Sequence, residues 1–150
     1  MKRCACLALA ALALAACGSD GGRLSKIQYQ AKLESAFAAA SAELAPGSHT
    51  AGSVALLTRI ARSYGGIAAA LKDLRAPANV QALNDRLVSA ASARADALNS
   101  LVAKLRPASA SKRKRLLAQF DASRIGNDDF DRTVAALTAK GYRFRTSAGT

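Results

Sequence analysis

Apolar residues recur along this chain at steps of three and four, and no run alternates with the period of two that a half-buried strand requires. Tyr29, Leu33, Phe37 (with Ala36), Ala40 and Leu44 form the first stripe. Ser25 and Gln28 before it form an S-x-x-Q capping box, with Leu24 and Tyr29 spaced as its hydrophobic staple, so a helix starts at Ser25 and stops at Pro46-Gly47. A second helix starts near Thr50 or Ser53 on Val54, Leu57, Ala61, Tyr64, Ala68 and Leu71, a 3-4-3-4-3 seam for a partner helix, widened by Ile60, Ile67 and Leu74. Gly65-Gly66 lies inside it. A glycine costs ~1 kcal/mol in a helix interior, so the pair marks either a kink or a close helix crossing.

Ala76-Pro77-Ala78-Asn79 is the next break, and proline is tolerated in a first helical turn. A third helix runs from there to about Arg106 on Val80, Leu83, Leu87, Ala91, Leu98, Leu101, Val102 and Leu105, with only small residues in mid-face, and Pro107 ends it. A fourth, from Ser109 or Ser111 to about Ile125-Gly126, carries Leu116, Leu117 and Phe120. A fifth begins with Asn127 as N-cap and places Asp128, Asp129 and Asp131 in its first turn, where the helix dipole favours negative charge. Phe130, Val134 and Leu137 form its face, Gly141 is its C-terminal cap, and Tyr142 and Phe144 follow as core-sealing aromatics. The expected fold is all-α: an antiparallel bundle of four main helices plus a short fifth, over residues 25–145, with 146–150 as a fraying tail.

The N-terminus changes the picture. Met1-Lys2-Arg3 is positively charged, and residues 5–16 are alanine and leucine apart from Cys6. That run is too short to span a membrane, which takes ~20 apolar residues, but it suits a signal peptide. It ends in Leu14-Ala15-Ala16-Cys17, followed by Gly18, Ser19, Asp20, Gly21 and Gly22. The tetrapeptide resembles a bacterial lipobox. The resemblance implies cleavage before Cys17 and covalent diacylglycerol and N-acyl chains on that cysteine, while the residues themselves show an export signal. Cys4 and Cys6 would leave with residues 1–16, residues 17–24 would be a lipidated cysteine and tether, and stability would come from the core and not from disulfides. Two or more acyl chains make a firm anchor on the extracytoplasmic face of the cell membrane.

The formal net charge is +12, and loss of Lys2 and Arg3 leaves about +10. In an exported chain the matching polyanions are lipid head groups or acidic wall polymers, and nucleic acid is not expected. The positive charge is most concentrated at Lys112-Arg113-Lys114-Arg115, at a helix start, where the dipole disfavours it. Two readings stand: docking to an anionic surface, with each charge adding ~1 kcal/mol near it, or a solvated helix face.

No catalytic constellation is apparent. His49 is the one histidine and sits in a turn. Glu34, Glu43, Asp73, Asp85 and Asp96 are scattered among basic residues, so no metal site is expected. Asp128, Asp129 and Asp131 lack the ligand spacing, central glycine and closing glutamate of a calcium loop, and capping accounts for them. There is no Gly-rich phosphate loop and no nucleophile elbow.

Leu24-Ser25-Lys26 with Tyr29 and Lys32, and then Leu74-Arg75-Ala76-Pro77-Ala78-Asn79-Val80-Gln81 with Leu83, Asp85 and Leu87, resemble small helical lipoproteins common in actinobacteria. The resemblance covers about residues 24–145 and implies a location and a fold, not a reaction. Such proteins often carry a cysteine in the first helix and another after a terminal glycine. The matching neighbourhoods here hold Phe37 and Phe144, so a contact between these rings is expected in place of a disulfide. The function expected is that of a non-enzymatic interaction or structural module of the cell envelope, with no cofactor beyond the acyl chains. The alternative is a lipoprotein holding an apolar or anionic small ligand between helices, in a pocket where the alanines of the third helix face Gly65-Gly66.

Overall fold

Local signals set where the helices start. In the computed structural model, which describes residues 22–44 and 53–144, Ser25 Oγ accepts from the Gln28 N–H while Gln28 Oε1 accepts from the Ser25 N–H. This closes the capping box ahead of α1 (Lys26–Glu43). Ser53 caps α2 (Val54–Leu71) in the same way, its Oγ accepting from the Leu56 N–H at 3.2 Å. After Pro77, residues Ala78–Val80 form a single 3₁₀ turn that leads into α3 (Gln81–Leu105), so the proline precedes the α-helix instead of sitting in its first turn. The fourth and fifth helices are α4 (Ala110–Ser123) and α5 (Asn127–Ala139). The architecture is the all-helical bundle expected, and the described residues contain no strand.

Four columns make the bundle. The first three are α1, α2 and α3, each antiparallel to the next: Ser63 Oγ donates to Ala40 O, and Asn84 Nδ2 donates to Leu71 O. The fourth column is α4 followed by α5, both running down α3. Lys104 and Ala97 lie beside Leu116 and Phe120, Arg94 donates to Ile125 O, and Arg86 and Leu83 lie beside Arg132 and Ala136. Arg124 and Gly126, at φ 46° and 72°, interrupt this column without turning it back. The shortest α-helix, α5, therefore completes the fourth column.

Gly126 is the α5 cap, and Asn127 is the first helical residue instead of the N-cap the sequence suggested. Two left-handed residues bring the chain into α5 one position early. Asn127 Nδ2 faces Asp131 at 3.4 Å, and no side chain caps the helix. A Cβ on Gly126 would lie 2.9 Å from Ala90 O, so α5 begins in backbone contact with α3. At the other end of α5 the N–H of Tyr142 donates to Leu137 O and that of Gly141 to Thr138 O, with Gly141 at φ 81°. This is a Schellman cap, placed where the sequence predicted one.

Two apolar clusters divide the core along its length. The larger joins Tyr29, Leu33 and Phe37 of α1 to Leu71, Leu87, Phe130, Leu137 and Tyr142. The smaller joins Leu57 and Ala61 of α2 to Leu98, Leu101, Val102 and Leu105 of α3, with Leu116, Leu117 and Phe120 of α4 partly buried against it. The Phe37 and Phe144 rings meet at 4.7 Å, as expected, and Phe37 also lies 6.0 Å from Phe130. Leu44, expected in the core, is instead the exposed C-cap of α1. Gly65-Gly66 neither ends nor breaks α2, which runs unbroken from 54 to 71.

Candidate functional site

The candidate site residues fall at the two ends of the bundle. One end is made by the α3 C-terminus and the α4 N-terminus. Lys112, Arg113, Lys114 and Arg115 occupy the first turns of α4 and are all exposed, with Lys104 and Arg106 exposed nearby. The four do not act alike. Arg113 Nε donates to Leu105 O at 3.0 Å and its terminal nitrogen to Arg106 O at 3.3 Å. It therefore caps the orphan carbonyls of α3 at the negative end of that helix's dipole. One charge of the run is structural. Lys112, Lys114 and Arg115 remain as a basic surface.

At the opposite end three segments converge. Leu24 N donates to Arg75 O at 2.7 Å, Arg23 donates to Ala76 O at 2.9 Å, and Lys26 Nζ reaches Lys140 O at 3.3 Å. Gln30 binds both the N–H and the C=O of Arg143. The chain enters the bundle here, so the segment that follows Cys17 leads to this end. The 25 residues of α3 separate it from the Lys112–Arg115 end by about 37 Å, at 1.5 Å per residue. Leu14, Ala15, Ala16, Cys17 and His49 lie outside the described residues.

Between the ends lie polar groups that the periodicity did not flag. Asn84 is fully buried: its Oδ1 accepts from Tyr29 Oη at 3.0 Å and its amide donates to Leu71 O at 3.2 Å. Burial pushes the Tyr29 hydroxyl well above its usual range, with the neighbouring Tyr142 and Asp85 adding to the shift. Burial also raises Tyr64, and Arg94 partly offsets this. Both phenols are neutral at neutral pH, and Tyr29 is held there as a hydrogen-bond donor. Arg94 lies 4.6 Å over the Phe120 ring and donates to Ile125 O at 3.2 Å, an orphan carbonyl of the column break. Its Nε is buried without a partner. An arginine in a run of alanines gives no sign in sequence that it will tie three elements together.

The α2/α3 crossing is close: a Cβ on Gly65 would sit 3.9 Å from the Ala95 methyl, which is ordinary contact. Beside it runs an open groove of about 680 Å³ between Arg62, Lys72, Ser92 and Asp96, on the outside of the helix pair. Asp128 and Asp129 lie in the first turn of α5 as expected, and both also pair with side chains, Asp128 with Arg124 at 2.8 Å and Asp129 with Arg132 at 2.6 Å. Among the described residues no group of His, Cys, Asp or Glu is arranged to hold a metal ion, and no helix is long and apolar enough to cross a membrane. No protein-family model matches the chain, and comparison with curated proteins and with solved structures finds no match.

Proposed function

We propose that the protein is an extracytoplasmic lipoprotein, held in the cell membrane by acyl chains on Cys17, whose bundle is a non-enzymatic interaction or structural module of the envelope. The observation that carries this reading is Leu14-Ala15-Ala16-Cys17 at the end of a short apolar run, followed by a glycine-rich stretch. Its likeness to small helical actinobacterial lipoproteins agrees with it. The bundle supports the reading in a second way. Its core holds together through apolar packing and one buried polar relay, Tyr29–Asn84–Leu71, in residues that all follow the proposed tether.

In this reading Lys112, Lys114 and Arg115 stand at the end away from the tether. They face acidic wall polymers and not the anchoring membrane. Intact mass of the protein extracted from membranes tests the anchor, wild type against Cys17→Ser. A diacylglyceryl adduct on a chain starting at Cys17, lost in the variant, supports the reading. A processed chain without lipid overturns it.

A further inference from the structure

We propose that the tether end of the bundle, with Ile27 at its centre of contact and Lys26, Lys72, Arg75, Lys140 and Arg143 around it, docks onto anionic lipid head groups of the anchoring membrane. This rests on the lipoprotein reading above. Three observations carry it. The first is position: five residue steps from Cys17 to Gly22 reach at most about 18 Å, about half the length of the bundle, so this end is the one nearest the head groups.

The second is charge. Lys26, Lys72, Arg75, Lys140 and Arg143 are exposed there, with Arg23 beside them. Three carboxylates lie near these six cations, Asp73, Asp85 and Glu34, the last accepting from the Gln30 amide that also donates to Arg143 O, so positive charge remains in excess. The cations come from α1, the connection that follows α2 and the segment after α5, which the fold gathers from positions 26 to 143. No run of basic residues reveals them. Held within a Debye length, about 8 Å in physiological salt, such charges act on an anionic surface with little screening.

The third separates a membrane from a dissolved polyanion. Ile27, in the first turn of α1, is 83% exposed, the most exposed large apolar side chain among the described residues. An isolated exposed hydrophobe needs no explanation by itself. Flanked by Lys26 at the tether end, it has the amphipathic form of an interfacial anchor, with an apolar side chain for the acyl boundary and cations for the phosphates. Leu44, at the C-terminus of α1 and so toward the opposite end, is 45% exposed and follows Glu43 instead of a cation.

The chain has no tryptophan, so an Ile27→Trp substitution gives a single-site fluorescent reporter. The acylated Ile27→Trp chain is placed in vesicles of neutral phospholipid, or of neutral plus anionic phospholipid, with or without bromine-labelled acyl chains. Ser111→Trp, at the far end, is the control. The expected result is a blue-shifted emission and at least twofold quenching for Ile27→Trp in the anionic vesicles, reversed by high salt, with Ser111→Trp unchanged. In the unsubstituted chain, Lys26, Lys72 and Lys140 should react at least threefold more slowly with an impermeant amine reagent in anionic than in neutral vesicles, and Lys112 and Lys114 equally in both. An acylated chain whose Ile27→Trp emission matches that of Ser111→Trp, or whose lysines react alike at both ends, overturns the docking surface alone. A chain found unacylated by intact mass overturns the anchor, and the docking surface with it.

Discussion

At position 84 an asparagine stands where the helical pattern asks for an apolar side chain, between Val80 and Leu87. It is held by two partners: the Tyr29 hydroxyl, and the Leu71 carbonyl, which belongs to the last residue of α2. Removing one member of a buried pair costs the desolvation of the other, about 1–3 kcal/mol per group. Asn84→Ala strands both the phenol and the carbonyl and leaves a void, so a loss of about 2–4 kcal/mol is expected in urea unfolding. Tyr29→Phe strands only Asn84 Oδ1 and should cost less, about 1–3 kcal/mol. The phenol also makes stability depend on alkaline pH. It ionises near pH 10 in the unfolded chain, while burial raises it in the bundle. Folding then favours the neutral form: its contribution is complete below about pH 10 and is lost as pH rises toward the folded value. Tyr29→Phe should therefore narrow its deficit relative to wild type as unfolding is measured from about pH 9 to 11. A deficit that stays constant would show that the hydroxyl does not titrate with folding.

Among elements, the glycines separate by what surrounds them. A Cβ on Gly66 meets nothing within 4 Å, inside an unbroken helix, so Gly66→Ala should raise stability by about 0.5–1 kcal/mol. Gly126→Ala forces a left-handed conformation and a 2.9 Å approach to Ala90 O. It should cost about 2–4 kcal/mol. Thermal melts of the two single variants check both signs. If Gly126→Ala were tolerated, the α4–α5 break would have to be soft enough to move away from α3. The basic run divides in a similar way. Arg113→Ala removes the cap from α3 and should lower stability by about 1 kcal/mol. Lys112→Ala, on the same helix turn, should relieve the unfavourable charge at the α4 N-terminus and leave stability unchanged or slightly raised. Equal melting temperatures for these two variants would remove Arg113 from its capping role.

Over the whole molecule, features confined to a few neighbouring positions were legible in sequence. The Ser25–Gln28 box, the start at Ser53 (one of the two starts the spacing offered), the Gly141 cap and the apolar stripes apart from Leu44 each depend on residues within one or two turns, and each is where the spacing put it. What depended on long-range placement was not legible. Asn84 goes unmarked beside the Val80–Leu83–Leu87 stripe until Tyr29, 55 residues earlier, is packed against it. Arg113 reads as one of four equal charges until the α3 C-terminus lies beside it. Fourth and fifth helices could be counted, but not that they share a column, because the two left-handed residues that decide this include Arg124, which is not a residue type that announces the conformation. That column divides the stability of the molecule unevenly. Phe130, Thr133 and Leu137 of α5 are buried, whereas none of the described side chains of α4 is fully buried, and α4 receives no side-chain cap from Ser109 and starts with four positive charges. Local opening follows buried contact, so α4 should unfold from the bundle ahead of the rest. Native-state hydrogen exchange should find the amides of residues 113–122 opening at a free energy at least about 2 kcal/mol below those of α2 and α3, with α5 close to the latter. Leu98→Ala, which thins the cluster that α4 rests on, should lower the free energy of α4 opening along with global stability, while Leu33→Ala, in the other cluster, should leave that opening unchanged, lower global stability and narrow the gap. If α4 exchanged together with α3 in all three chains, the two clusters would be one cooperative unit, and the fourth column would not be divided at Gly126.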